Sequence, residues 1–133
     1  MSPEEKGTLS KLRLDMAQEA LDDAKSDLEE NRLRSSTNRA YYAVFYAMRA
    51  VLALDGIDRK KHSGVSSEFQ RLYVKTGIFD GSISPIIRRL FNMRAHNDYD
   101  DVQIILLDNA TQQLHDAETV VNAIKTYLQS RNT

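Results

Sequence analysis

The side chains best suited to chemistry are concentrated in the stretch RRLFNMRAHNDYDD, residues 88–101. Two of them, Arg89 and His96, are seven residues apart, which on a helix places both on one face with Cα atoms about 10.5 Å apart. A histidine can take the proton of an RNA 2′-hydroxyl, and an arginine can stabilise the charge of the transition state. The pair is therefore a candidate for metal-independent RNA cleavage, although solvated helix ends also carry such pairs by chance.

Arg94 occupies a position where the hydrophobic pattern of the same helix calls for an apolar side chain. The apolar positions before it, at steps of four and three, are Ile83, Ile87 and Leu90. An unpaired guanidinium is costly to bury, so Arg94 needs either an internal acid or an open polar cleft. Asp98, four residues further on, can supply the acid. In the alternative, Arg94, His96 and Tyr99 share a site at the end of the helix.

A second candidate surface is a line of guanidinium and phenol groups on an earlier helix: Arg39, Tyr42, Tyr46 and Arg49. In one interpretation the tyrosines shield the edge of the core while the arginines lie across their rings. In the other the line forms the wall of a groove for nucleotide or RNA, because aromatic rings stack on bases and arginine binds phosphate. The loop sequence KKH at 60–62 could add phosphate contacts, although a solvated loop is favoured.

The composition predicts a single all-α domain over residues 1–133. A chain of 133 residues can bury roughly 70% of its unfolded surface in one core. Five glycines and two prolines are too few for the many tight turns of an all-β chain. The apolar spacing instead predicts about five helices with short connections, which form an antiparallel, up-and-down helical bundle.

Helix bounds follow from the apolar spacing and from residues that favour helix ends. The predicted helices run over about 8–30, from Ser35 or Ser36 to Asp55 and Gly56, from Ser63 to Thr76 and Gly77, from Ser82 or Ser84 with Pro85 in the first turn, and over about 102–129. The second of these is apolar on two faces. Such a helix either lies at the centre of its own bundle or also packs against another subunit.

Charge and composition disfavour several kinds of site. Lysine plus arginine (18) nearly balances aspartate plus glutamate (19), so charge-driven binding must be local. The chain has no cysteine, which excludes disulfides and thiolate metal sites. Asp98, Asp100 and Asp101 are better explained by helix capping than by metal binding, so we expect no metal and no cofactor. Without a membrane-length apolar run or a leader-like N-terminus, we expect a cytoplasmic protein.

Four segments, in this order, resemble a prokaryotic HEPN (higher eukaryotes and prokaryotes nucleotide-binding) domain protein: NRAYYAVFYAMRAVLALDGID, KKHSGV, KTGIFD and MRAHNDYDD. The resemblance covers roughly residues 10–128, and several segments at the right separations are more specific than one motif. It implies a helical bundle that forms a homodimer. It also implies a partner, a minimal nucleotidyltransferase encoded nearby, with which the protein would form a toxin–antitoxin module.

The resemblance implies two assignments of the site. In ribonuclease members an arginine is followed after four to six residues by a histidine, and two such motifs meet across the dimer. Arg89 and His96, with six residues between them, are similar to that motif. Family members associated with nucleotidyltransferases instead have an arginine followed closely by Asp-Tyr. The residues of this sequence that resemble that motif are Arg94, Asp98 and Tyr99.

Tyr99 is also a candidate modification site by this resemblance. In some toxin members a tyrosine just after the histidine is adenylylated by the partner, which would add bulk and negative charge and block phosphate binding. A boundary tyrosine without such a role is the alternative. The sequence thus predicts a HEPN subunit that binds nucleotide or RNA in a dimer cleft. A metal-independent ribonuclease toxin and a non-catalytic subunit of the nucleotidyltransferase stay open as alternatives.

Overall fold

The structure of the chain, a computed structural model, describes the backbone of residues 1–99 and 105–131 and the side chains of residues 1–93 and 105–131. This part of the chain is helical throughout its regular structure and contains no β-strand. Its elements are α1 (Pro3–Glu29), α2 (Leu33–Leu54), α3 (His62–Phe69), a π-helical segment (Gln70–Val74), α4 (Ile83–Tyr99) and α5 (Leu107–Arg131). The predicted all-α bundle of five helices is confirmed.

α2 lies at the centre of the bundle. Both of its apolar lines are buried, the small one at Ala40, Ala43, Ala47 and Val51 and the large one at Tyr41, Phe45, Met48 and Leu52. α1, α3, α4 and α5 of the same chain pack around it. The first of the two predicted placements, a central helix covered by its own bundle, is therefore confirmed.

α1 and α2 form an antiparallel hairpin. Near the turn, the Ser36 hydroxyl donates to the Ala24 carbonyl at 2.7 Å. Close to the other end, Arg13 donates to the Arg49 carbonyl at 3.4 Å. These contacts connect the early part of one helix to the late part of the other, as an up-and-down arrangement requires.

α1 begins earlier than predicted because of a cap that the apolar pattern does not reveal. Ser2 accepts a hydrogen bond from the Glu5 backbone, and the Glu5 carboxylate accepts one from the Ser2 backbone. This is a capping box, and Pro3 occupies the first helical position, where its missing N–H costs nothing. The helix therefore starts at Pro3 rather than near residue 8.

The predicted serine caps of α2 and α3 are wrong. α2 starts at Leu33, and the side chain of the preceding Arg32 makes no capping hydrogen bond. The turn between α1 and α2 is made instead by Asn31, whose backbone is left-handed with φ 61°. Ser35 instead donates to Asp27 of α1 at 2.6 Å. α3 starts at His62, so Ser63 lies inside it.

The ends of the remaining helices are set by local backbone features. α3 continues into the π-helical segment, and Gly77, with φ 86°, follows it, as the Thr76-Gly77 signal predicts. α4 has Pro85 in its first turn and buries its predicted apolar line, Ile83, Ile87 and Leu90. α5 begins at Leu107 instead of about 102, and the side-chain carbonyl of Asn109 accepts a hydrogen bond from the Leu106 N–H at 3.3 Å.

Candidate functional site

Arg89 is fixed in place by an acidic residue of the neighbouring helix. Its Nε and Nη2 atoms donate to Oδ2 and Oδ1 of Asp116 at 3.1 and 3.0 Å. The Gln112 side chain donates to the same carboxylate at 2.9 Å. A two-point pair of this kind fixes the plane of the guanidinium. The hydrogen bond that Arg89 donates to Asp116 also raises the pKa of Arg89, so the group stays a cation.

The two partners of this ion pair differ in exposure. The Asp116 side chain is 3% exposed, whereas that of Arg89 is 51% exposed. A buried carboxylate requires a nearby cation, since leaving it unpaired is strongly destabilising. The Nε and Nη2 edge of the guanidinium is therefore bonded to Asp116, while the rest of the half-exposed group faces solvent. Sequence reasoning missed Asp116, although an acid next to Ala117 on the buried line of α5 is the signal that could have identified it.

A pocket of about 250 Å³ opens beside Arg89 between α4 and α5. Its lining residues are mostly carboxamides: Arg89, Asn92, Met93, Asn109, Gln112 and Gln113. We call this the carboxamide pocket. Gln113 is 5% exposed, and its Oε1 atom accepts no hydrogen bond from the described part of the chain. This acceptor is enclosed by protein, so it lies behind the surface of the pocket.

The other residues of the predicted catalytic and modification site lie on the last turns of α4. They are Arg94, His96, Asp98 and Tyr99. Their side chains lie outside the described residues. α4 is one continuous helix through Tyr99, so the backbone positions of Arg89 and His96 are two turns apart on one face, as the spacing predicts. Arg89 is thus the member of the predicted catalytic set whose side-chain geometry is described.

The predicted line on α2 divides into two parts. Arg39 lies over the ring of Tyr42, 5.0 Å from its centroid, and Tyr42 lies 5.8 Å from Tyr46. Arg49 instead donates to Asp58 at 2.7 Å, and its Nε is enclosed without a partner among the described residues. This geometry matches the shielding interpretation for Arg39 and the tyrosines. A role of the line in binding nucleotide or RNA stays a prediction.

His62 belongs to an aromatic cluster that the sequence analysis did not anticipate. Its ring stacks on Phe45 with centroids 4.3 Å apart, and its Nδ1 is hydrogen-bonded to the Tyr41 hydroxyl. Phe91 of α4 completes the cluster, 4.9 Å from Tyr41. The prediction of a solvated loop therefore holds for residues 60–61, which are exposed, but not for His62. The cluster fixes α4 against α2 immediately after Arg89.

A second acidic cluster joins the C-terminal ends of α2 and α5. Arg131 donates to the two carboxylate oxygens of Asp55 at 3.2 and 3.1 Å, and the Tyr73 hydroxyl donates to the same carboxylate. Burial raises the pKa of Asp55, but the bonds from Tyr73 and Arg131 outweigh it and leave that pKa below its usual value. Burial and the bond to Asp55 raise the pKa of Tyr73, so its hydroxyl remains a donor.

Asp58 extends this second cluster toward α1. It accepts hydrogen bonds from Arg13 at 3.2 Å and Arg49 at 2.7 Å. The bond from Arg49 lowers the pKa of Asp58 against the effect of burial. Asp55 and Asp58 line a cavity of about 350 Å³ together with Lys6 and Arg13. Acids and cations already neutralise each other there, in contrast to the carboxamide pocket.

None of the helices in the described residues combines the length and the apolar composition that crossing a membrane requires.

The chain is similar to known proteins over most of its length. A family model described as HEPN domain matches residues 10–127. A protein of Thermotoga maritima named UPF0332 protein is 38% identical over 109 residues, which cover 82% of this chain and 83% of the relative.

Two further relatives come from Methanocaldococcus jannaschii. The one named "Putative toxin MJ0142" is 35% identical over 97 residues, which cover 73% of this chain and 66% of the relative. The one named "Putative toxin MJ0605" is 31% identical over 117 residues, which cover 84% of this chain and 83% of the relative.

Proposed function

The chain belongs to the HEPN domain family, and on that premise we propose that it is the HEPN subunit of a toxin–antitoxin-like pair and binds RNA or a nucleotide at Arg89. The second protein of the pair is a minimal nucleotidyltransferase. The binding site lies in a cleft between two copies of the chain. Phosphate is the chemical group that the site recognises first.

One observation carries this proposal. The Arg89 guanidinium is fixed by a nearly buried acid and is half exposed beside a pocket of carboxamides. A fixed, outward-facing guanidinium suits a phosphate, because its remaining N–H donors match phosphate oxygens. The names of the two archaeal relatives support a toxin-like role for the chain.

The same observation favours metal-independent ribonuclease activity as a second candidate function. An arginine fixed before substrate arrives can stabilise the transition-state charge without reorganisation. His96, two helical turns further along α4, would then act as the base for the 2′-hydroxyl. Arg94 would add positive charge near the end of the helix. In the non-catalytic alternative these groups bind RNA or present Tyr99 to the nucleotidyltransferase.

Fluorescence anisotropy with a labelled single-stranded RNA, in buffer with EDTA, tests the binding proposal. The test variant is Arg89→Ala combined with Asp116→Asn, which removes the guanidinium without leaving a buried charge unpaired. We expect its Kd for RNA to rise about tenfold at low salt, as loss of one strong phosphate contact predicts. Arg71→Ala is the matched control, because it removes an arginine that is paired with Glu68 on a different surface. Equal affinities of wild type and the double variant would refute the role of Arg89.

Gel analysis of the same RNA after incubation separates binding from cleavage. Cleavage by the wild type with EDTA present, abolished by Arg89→Ala and by His96→Ala, supports the ribonuclease. Intact RNA together with unchanged binding supports the non-catalytic subunit.

Adenylylation of Tyr99 is tested by intact mass after incubation with the nucleotidyltransferase and ATP. We expect a mass increase of one AMP unit in the wild type and none in Tyr99→Phe. An unchanged mass of the wild type contradicts adenylylation.

A further inference from the structure

One long face of the α1–α2 hairpin carries two rows of side chains, and we call these rows together the hairpin face. The row on α1 consists of Leu12, Met16, Glu19 and Asp23. The row on α2 is the line described above, Arg39, Tyr42, Tyr46 and Arg49. Within each row the steps alternate between three and four residues, which is the spacing that keeps one face of a helix turned toward another helix.

The two rows lie side by side in the folded chain. A shallow pocket of about 130 Å³ is bordered by Met16 and Asp23 from α1 and by Arg39 and Tyr46 from α2. The two helices are antiparallel, and the hydrogen bond from Arg13 to the Arg49 carbonyl sets their register. In this register Asp23 lies at the same height along the hairpin as Arg39, and Met16 lies at the same height as Tyr46.

The apolar side chains of the hairpin face are open to solvent. Leu12 is 56% exposed and Met16 is 38% exposed, although both are large apolar residues on a helix that has a separate buried line. Tyr42 and Tyr46 are half-buried beside them. Methionine, tyrosine and arginine are the residue types that are enriched where proteins bind one another. This part of the surface therefore has the composition of a protein contact.

The charges of the hairpin face are separated by helix. Both acids, Glu19 and Asp23, lie on α1 and are exposed, whereas both arginines lie on α2. An RNA backbone on this face would meet the acids as well as the arginines, which disfavours RNA as the occupant. A second copy of the chain supplies an acid for each arginine and an arginine for each acid.

From this we infer that the hairpin face binds a second copy of this chain about a two-fold axis parallel to the helices. Such an axis keeps every residue at its height and lays α1 of one copy over α2 of the other. Asp23 then faces Arg39 of the partner subunit, and Met16 faces Tyr46 of the partner subunit. A two-fold axis across the helices would lay α1 over α1 and put its apolar end against its acidic end.

The inference goes beyond the proposed function. The hairpin face contains none of the residues that surround Arg89, and it joins two copies with or without RNA. It also gives the line on α2 a different use, because side chains that contact a second copy do not form an open groove for nucleotide.

Sedimentation of the full chain in the absence of RNA tests the inference. We expect the wild type at micromolar concentration to be a dimer or a larger even assembly. Asp23→Arg and Arg39→Glu each place like charges opposite one another when two identical copies meet. We expect each variant alone to associate at least about tenfold more weakly and to show half the wild-type mass.

A mixture of the two variants separates a contact between copies from an effect within one chain. In a mixed pair the introduced arginine faces the introduced glutamate, and the native Asp23 faces the native Arg39. We expect the mixture to regain the wild-type mass. Lys25→Glu is the matched control, because it reverses a charge on the side of α1 that borders α5. We expect it to keep the wild-type mass.

Three results would each overturn the inference: a monomeric wild type, single variants that keep the wild-type mass, or a mixture that stays at half of it. Arg39→Glu with unchanged mass and weaker RNA binding would overturn it in favour of an RNA groove on α2. The wild-type measurement needs no variant, so it stays decisive if a variant does not fold. Since no RNA is present, a failure of RNA binding at Arg89 leaves these results unchanged.

Discussion

Two ion pairs along α5 have similar two-point geometry, but the two partners are equally exposed in one pair and very differently exposed in the other. At the end of the helix, Arg131 binds Asp55, and both side chains are about one-third exposed, at 32% and 36%. Fifteen residues earlier, or about 22 Å along the helix, Asp116 binds Arg89. There the acid is nearly inaccessible and the arginine faces solvent.

The difference teaches what each pair does. Around Asp55, a tyrosine hydroxyl and Arg131 converge on one carboxylate, and Arg131 also lies 5.7 Å from the centroid of the Tyr127 ring. The Asp55 carboxylate thereby connects the C-terminal ends of α2 and α5 with Tyr73 of the π-helical segment that follows α3. Around Asp116, the acid is the buried component, so its effect is to orient a cation outward. The first pair connects helices, and the second presents a group to a ligand.

The largest effect on stability is expected from Arg89→Ala. It leaves the buried Asp116 carboxylate without its cation, and we expect the free energy of unfolding in urea to fall by about 2 kcal/mol. This lies between about 0–1 kcal/mol for exposed pairs and about 3–5 kcal/mol for breaking fully buried ones.

Two controls make that result interpretable. Adding Asp116→Asn to Arg89→Ala should recover part of the lost stability, because no buried charge then remains. Arg71→Ala should change the stability by about 0.5 kcal/mol or less, because Arg71 is 59% exposed and its partner Glu68 keeps Arg59 as a second cation at 3.9 Å. If Arg71→Ala and Arg89→Ala behave alike, the buried Asp116 carboxylate does not depend on Arg89 for its stability.

Tyr73→Phe should have a smaller effect, at the other cluster. It removes the hydroxyl that donates to Asp55 while Arg131 remains bound, so we expect a loss of about 1 kcal/mol in urea unfolding. RNA affinity should not change, since this cluster is about 22 Å along α5 from Asp116. Tyr46→Phe, at a half-buried tyrosine outside the cluster, serves as the control for the unfolding measurement alone, since Tyr46 belongs to the predicted RNA-binding line of α2. A weakened RNA affinity in Tyr73→Phe would show that the two regions are coupled.

The smallest effect is expected from acid. The lowered pKa values of Asp55 and Asp58 mean that the unfolded chain binds protons more readily than the folded one. Their contribution to stability is complete above about pH 5 and is lost as the pH falls through the ordinary aspartate value of about 4 and then through the lowered folded-state values. Urea unfolding across this range should show a shallower decline in Asp55→Asn than in the wild type. Asp15→Asn, at an exposed position of α1, should follow the wild type.

Most of the helical architecture could be predicted because each helix carries its own apolar period. The buried lines of α2 and the line Ile83, Ile87 and Leu90 of α4 are where the spacing puts them. The errors concern helix starts, where one hydrogen bond decides the outcome. Ser35 and Ser36 bond to α1 instead of capping α2, a choice that depends on how two helices pack.

The candidate site was only partly predictable. Arg89 was identified from its spacing to His96, and its position on a continuous α4 agrees with that spacing. Its partner Asp116 and the neighbouring Gln113 were not identified, since they lie 27 and 24 residues further along the chain. No local pattern relates residues at such separations.

The sequence by itself therefore determined the helices, the central place of α2 and the presence of a basic, histidine-bearing segment in α4. These follow from periodicity and residue type, which act over a few residues. Only the tertiary structure decided that Asp116 is buried while its partner Arg89 stays half exposed beside a pocket between α4 and α5. The physical reason is that burial and pairing depend on which faces of α4 and α5 meet, and that is fixed by the packing of the whole bundle.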